Sequence, residues 1–412
     1  MRALAHAWCA VLLATCFLWL WPEPFLASVT ASAATFFVVA ARRRLAMGWS
    51  EVLLLANVVY MLINLAATYG FEPLADVTLL RNDGRALVLY PLLLLVLSAR
   101  SALAEVREDA FTRMALAAPV LIAALGLARY ALPTLTSWPM TVYYGDLNAT
   151  LFFGLHTAHN AAGVAYGSAA TLCLLAASRS GWRIPWTAAF LLLATAFALT
   201  YSRSALLGVA AGMAALAARR AFHRADVPRL AVAGSWTVLV ILAAYLVLPA
   251  LPRAPELPAG GGLADPDSPL HSTEYRLAAW EEAWRDILAA PLFGIGFARF
   301  DDRDIGEARS ILGTRTTGTV VHSRAHAHNS YLHVAAEIGL AGLLLFAAFW
   351  AALVRGLWRR KGVAASAALA SLLVSSLFEH NLAAPSATLY PVALAAFALA
   401  RSSASSSSIA RT

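Results

Sequence analysis

Charge is what this sequence has least of. Only 13% of its 412 residues are charged, 60% are hydrophobic, and the mean hydropathy is +0.67. Soluble domains are about a quarter charged and about half apolar, so a soluble enzyme built round one core is excluded. Disorder is excluded too, because it requires low hydrophobicity. Lysine is almost missing: Lys361 is the single one, and arginine supplies the remaining positive charge. Cysteine is scarce, and Cys9, Cys16 and Cys173 all lie in apolar stretches. An odd number of thiols in such places argues against a disulfide framework. Walker, Rossmann and zinc-finger spacings are absent, and no internal repeat is visible.

What is present is long apolar runs. They fall near 7–21, 25–41, 51–69, 86–98, 114–132, 149–177, 185–200, 204–218, 232–250, 330–354, 363–378 and 386–400. A spanning helix takes roughly 20 apolar residues, so a dozen use about 240 and leave about 170 for loops. The expected fold is therefore all-α, a polytopic membrane protein of about 12 transmembrane helices. The arginines orient it. With the N-terminus in the cytoplasm, the loops on that side hold Arg42–Arg44, Arg100, Arg107, Arg113, Arg179, Arg183, Arg219, Arg220, Arg224, Arg229, Arg355, Arg359 and Arg360. The short loops opposite hold only Arg81, Arg85, Arg129 and Arg203. Both termini are thus expected in the cytoplasm. The net charge of +8 reads as topology rather than as nucleic-acid binding.

The expected organisation is nine helices over 1–250, a long external loop over 251–328, three helices over 329–400 and a Ser-rich, disordered cytoplasmic tail over 401–412. Residues 251–272 are rich in Pro and Gly and read as a flexible connection. Ser272-Thr273-Glu274 then starts a helix. Leu277, Trp280, Trp284, Ile287 and Leu288 recur along it at helical spacing, and Pro291 ends it. That stripe suits either the membrane surface or the spanning bundle.

Several polar residues stand out, each with a bland reading beside a chemical one. Arg203, in the tight turn Tyr201-Ser202-Arg203-Ser204, is a snorkelling anchor or a phosphate fork. Arg276, near the helix start, forms an ion pair with Glu274 or Glu281, or meets an anionic ligand. His322, His326, His328 and His333 crowd the re-entry into the membrane. A metal site there lacks a nearby acid or cysteine; packing and general-base roles are the other readings, since an unperturbed imidazole titrates at about 6.5. Glu337 lies in an apolar run, where a carboxylate is costly and is usually functional or paired. It sits about 13 Å along a helix from His328 and reads as a structural or orienting partner rather than the reacting group. His156, His159 and Asn160 suit an interhelical hydrogen-bonding cluster. Glu379-His380-Asn381, at the outer end of the eleventh run, is placed to line the same cavity as His328.

The string His328-Asn329, nine residues, then Gly339-Leu340-Ala341-Gly342-Leu343 resembles the signature of the O-antigen ligase and O-antigen polymerase superfamily. Tyr201-Ser202-Arg203-Ser204 running to Gly208 resembles it too, as does Arg276 followed by Trp280, Trp284, Pro291 and Gly294-Ile295-Gly296. The pieces keep the family's order over about the second half of the chain. The resemblance implies a C-type glycosyltransferase of the bacterial inner membrane with a periplasmic active site. It implies that a glycan on undecaprenyl diphosphate is moved to lipid A–core by a ligase, or to another lipid-linked repeat unit by a polymerase. Inner-membrane lipid is the remaining expected partner; a transporter or flippase for the same lipid-linked glycans is the rival class. The family's arginines map onto Arg203 and Arg276, and its histidine onto His326 or His328. Asn329, Glu337 and His380 stand as supporting residues, with Arg81 and Arg85 as further phosphate contacts. No metal, nucleotide or cofactor is expected.

Overall fold

The computed structural model describes residues 2–17, 31–35, 38, 47–69, 84–132, 141–144, 149–154, 156, 158–219, 235, 239, 272–300, 304–305, 321–322, 326–360 and 362–409. The helices are α1 (Arg2–Thr15), α2 (Trp49–Tyr69), α3 (Gly84–Ser98), α4 (Glu108–Ala131), α5 (His159–Arg179), α6 (Ile184–Ala198), α7 (Arg203–Ala218), α8 (Ser272–Ala289), α9 (Ser330–Arg359), α10 (Val363–Ser375) and α11 (Pro385–Ile409). Two small antiparallel hairpins accompany them: β1 (Thr141–Tyr144) with β2 (Ala149–Phe152), and β3 (Asp304–Ile305) with β4 (Val321–His322). Among the described residues, five helical segments are long and apolar enough to cross a membrane, and four shorter helices are also apolar. The described residues are mostly helical with very little strand, as an all-α membrane protein is.

Side-chain exposure separates the inside of the bundle from its surround. α5 is buried along nearly its whole length and forms the centre. Val52, Leu55, Val59, Leu62 and Ile63 of α2, with Leu121 and Leu125 of α4, are exposed. Apolar side chains on the outside of spanning helices face hydrocarbon, so their exposure carries no penalty. α7 and α10 approach most closely where Gly208 and Gly212 stand over the carbonyls of Ser371 and Ala367. A Cβ there would lie 2.3 and 2.8 Å from those oxygens, the close backbone approach of a small-xxx-small interface.

Three expectations are corrected. The run at 149–177 is not one helix. Its first residues pair with Thr141–Tyr144 as a hairpin, and helix begins only at His159. The supposed tail from Arg401 continues α11 to Ile409, because nothing between them breaks the helix. The third correction lies inside α9, where Gly339 has φ 71 and ψ −178 and interrupts the helix after Ile338. The second run and the ninth lie largely outside the described residues, as does the connection at 251–271.

The break in α9 is filled from elsewhere. The segment from Pro291 to Gly296 docks its backbone there: Leu340 N–H donates to Pro291 O (2.9 Å), Ile295 N–H to Ala336 O (2.9 Å) and Gly296 N–H to Glu337 O (3.0 Å). Asn64 of α2 closes the joint, donating to Phe293 O and accepting from Phe297 N–H, each at 2.8 Å. Buried backbone groups freed by the break are thus satisfied. Gly294 (φ 74) and Gly339 face each other so closely that a Cβ on either would sit 2.2 Å from a carbonyl of the other strand of the joint. Gly339→Ala should therefore cost about 2–4 kcal/mol, from positive φ and overlap together. Thermal unfolding in detergent checks this, with Gly181→Ala (φ 71, open space around the Cβ) isolating the backbone part.

Candidate active site

Four segments far apart in sequence deliver the candidate residues to one place. The turn between α6 and α7 supplies Arg203. Tyr201 takes a left-handed φ of 51, and Ser202 caps α7 by accepting the Ala205 N–H at 3.2 Å. The Ser202 hydroxyl also donates to Asn160 Oδ1 at 2.7 Å. That contact needs α5 to lie close to the turn. Gly163 permits it, because a Cβ there would meet Ala205, Ser202 and Thr200 within 3.0 Å.

The start of α9 supplies the histidines. Asn329 caps it, accepting from Tyr331 and Leu332 N–H, both at 3.0 Å. Ser330 latches this end to the segment after α10: its N–H donates to Ser376 O (2.9 Å) and its hydroxyl to Glu379 O (3.1 Å). The first half of α9 also packs on α8, where Ala283 and Ile287 bury against Ala335 and Ala336. This packing brings Arg276 to the same place.

Glu379 is the hub. It is 5% exposed and takes donors on both oxygens. His328 Nδ1 lies 2.8 Å from Oε1, and the His380 N–H donates there too at 3.3 Å. Arg276 donates to Oε2 at 3.3 Å, and Asn160 Nδ2 bonds the same oxygen. Burial pushes the Glu379 pKa upward. His328, through its charge and hydrogen bond, then His326 and Arg276, overrides it and holds the carboxyl well below the usual range. The carboxylate is therefore ionised, and His328 Nδ1 carries the proton between them.

His326 is used differently. Its Nδ1 accepts the His328 N–H at 3.3 Å, which fixes its proton on Nε2. Burial first, and His328 second, push its pKa well below the usual value. His328 itself has φ 47, a left-handed conformation that a non-glycine residue keeps only when its surroundings impose it. The next N–H back, that of Ala327, donates to His333 Nδ1 at 3.5 Å, so both amides of this turn are held by imidazoles. His333 Nε2 in turn faces Glu337 Oε2 at 3.5 Å.

The contacts of Glu337 suit the structural part expected of it rather than the orienting one. Glu337 does not orient His328. Its Oε2 faces His333 Nε2 and its Oε1 accepts the Phe300 N–H (3.3 Å), two residues before Gly339. Glu379 takes the orienting place instead. Arg276 pairs with Glu379, while Glu281 pairs with Arg285; the Glu274 side chain lies outside the described atoms. His380 joins the cluster by ring contacts, 5.0 Å from His326 and 4.2 Å from His333. A cavity of about 30 Å³ behind it, reached by Asn57, His333, Glu337 and His380, has room for one or two waters and none for a sugar.

Arg203 is exposed at the first position of α7. His159, first residue of α5, lies within electrostatic reach of Glu379, Arg276, His328 and Arg203 together. The N-terminal ends of α5, α7, α8 and α9 thus share one neighbourhood, where partial positive charge favours an anion. His156 stays apart, packed edge-on against Phe17 and Tyr166 at 5.5 Å. His322 lies on β4, with its side chain outside the described atoms; so is that of Arg85 on α3, and Arg81 lies outside the described residues altogether.

His326, His328 and Glu379 also bring three ligand-type atoms within 4.8 Å of one another, so the acid that the sequence seemed to lack is present. The arrangement does not favour a cation. His326 Nδ1 is occupied by an N–H, and the Arg276 guanidinium rests on the same carboxylate.

Comparison with known proteins agrees with the motifs. No curated protein matches the chain. Residues 188–347 match the family model described as O-antigen ligase, a stretch that contains Arg203, Arg276, His326, His328 and the Gly339 break. This stretch of the chain is similar to the O-antigen ligase family, whose motifs it carries in order.

Proposed function

We propose that the protein is an O-antigen ligase of the bacterial inner membrane, acting on the periplasmic side. It transfers a glycan from undecaprenyl diphosphate to lipid A–core. The observation that supports this most is the Glu379–His328 pair standing beside two arginines at a meeting of helix N-termini. A base and an anion cradle are what the reaction requires.

The donor already holds an activated bond, so no nucleotide is consumed. The acceptor hydroxyl gives its proton to His328 Nε2 while its oxygen attacks the anomeric carbon. The bond from that carbon to the diphosphate oxygen breaks, and its electron pair leaves on undecaprenyl diphosphate. Arg203 and Arg276 stabilise the growing negative charge from fixed positions. One displacement inverts the anomeric centre. Glu379 holds the imidazole in the required tautomer and balances the imidazolium that forms. It also holds Arg276 through its other oxygen, which ties the base and the leaving-group side into one unit. Arg81 and Arg85 are placed by the sequence on the same face as further phosphate contacts. The preference for ligase over polymerase rests on the Arg-rich 251–328 loop, which suits an anionic core acceptor.

The test uses purified protein in nanodiscs with undecaprenyl-diphosphate-linked glycan, lipid A–core and a chelator, without nucleotide. Glycan-decorated lipid A–core on a gel is the expected product. Longer lipid-linked chains from donor alone would make it a polymerase, and no covalent product from active preparations would favour a transporter. Arg203→Ala and Arg276→Ala should each lower the rate by about 10²–10³-fold, the usual cost of one electrostatic stabiliser.

A further inference from the structure

α8 has two apolar faces, and the bundle uses only one. Ala283 and Ile287 are buried against α9. Trp284 and Leu288, about 100° further round the helix, are 55% and 65% exposed, and Leu292 and Phe293 in the following turn are 62% and 65% exposed. These four form an outward apolar face on a segment that the sequence places outside the membrane. Arg285, paired with Glu281 at 2.7 Å and with Glu282 at 3.3 Å, gives the helix a polar edge.

The joint at Gly339 fixes where this face stands. After the break, α9 runs from Leu340 to Arg359, 20 residues. At 1.5 Å per residue that is about 30 Å, one hydrocarbon thickness. Its far end carries Arg355, Trp358 and Arg359, the residues of a membrane boundary. Its near end is therefore Leu340, and Glu337 lies beyond it. The Pro291 and Leu292 carbonyls accept from Leu340 and Ala341 N–H at 2.9 and 3.3 Å, so the turn with Leu292 and Phe293 sits at that boundary. The exposed face also runs on into Leu340 and Leu344 of α9, which are 42% and 71% exposed on a spanning helix and so face lipid.

We propose that Trp284, Leu288, Leu292 and Phe293 are inserted into the membrane interface on the side that carries the His328 site, with phospholipid as their partner. Depth, continuity with a lipid-facing surface and an outward indole at the boundary all point to lipid. Arg276 lies 12 residues before Leu288 on the same helix, about 18 Å away at 1.5 Å per residue. The insertion thus sets the height at which this arginine stands above the bilayer. The anchor holds whichever reaction the site performs.

Nitroxide labels test this in full-length protein reconstituted into phosphatidylethanolamine–phosphatidylglycerol bilayers. Labels go at Leu288→Cys, at Phe293→Cys and, as the water-facing control, at Arg285→Cys. All three positions are at least 60% exposed, so the fold tolerates them, and the native cysteines are buried. Labels at 288 and 293 should collide with oxygen several-fold more readily, relative to a water-soluble nickel chelate, than the label at 285. Chelate access at 288 and 293 equal to that at 285 would overturn the proposal. So would low access to both reagents, which would mean that a protein surface covers the face.

Discussion

Replacing His328 by Ala should lower transfer by about 10²–10⁴-fold, the range for losing a positioned general base, while His326→Ala keeps activity within about tenfold of wild type. The two imidazoles are neighbours, with ring centroids 4.4 Å apart, yet their hydrogen bonds differ. His328 gives its Nδ1 proton to an ionised carboxylate and so presents a basic Nε2. His326 spends its Nδ1 lone pair on the His328 N–H, which makes it a support for the turn. Losing one neutral hydrogen bond costs about 1 kcal/mol, or about fivefold. Initial rates with saturating donor separate the variants. Equal losses in both would refute the assignment of the base.

Glu379→Gln should be nearly as damaging as the loss of His328, about 10²-fold or more, although no reacting atom touches it. An amide that presents its NH₂ to His328 Nδ1 forces the ring proton onto Nε2 and removes the base, as a carboxylate-to-amide change does in a catalytic triad. Arg276 would lose its charged partner as well. The same variant has a stability signature that a merely local defect would not give. The folded-state pKa of Glu379 is depressed, so its stabilisation is present above its ordinary value near 4.5 and is lost as pH falls below that. His326, with its pKa also pushed down, withdraws stability over an earlier range, starting below its ordinary 6.5. Wild-type melting temperature should therefore fall in two stages on acidification, and Glu379→Gln should lack the second. The cost at pH 7 should be about 1–3 kcal/mol. That is less than the ~3–5 kcal/mol for breaking a fully buried pair, because Arg276 and His328 remain partly open to water. Scanning calorimetry from pH 7 to pH 3.5 provides the check.

The sequence alone settled the class of the molecule and named the candidate side chains of the proposed site. Apolar runs are counted locally, and the cost of burying or exposing them does not depend on what they pack against, so a helical membrane protein followed from composition. Arg203, Arg276 and the His326–His328 pair lie in short strings whose residue types and order survive any packing, and the matched family domain spans all of them. Partnership is another matter. Glu379 stands 51 residues from His328, 103 from Arg276 and 219 from Asn160. A single acid at the end of an apolar run carries no sign of which of these it will meet. Glu337, nearer in sequence to His328, faces His333 instead. The Gly339 break was equally hidden, because a glycine in a helical run is ordinary until another segment supplies hydrogen bonds to the opened turn. Only tertiary packing decides which carboxylate stands behind His328 and which segment fills the break in α9, since both depend on contacts between segments that no local pattern encodes.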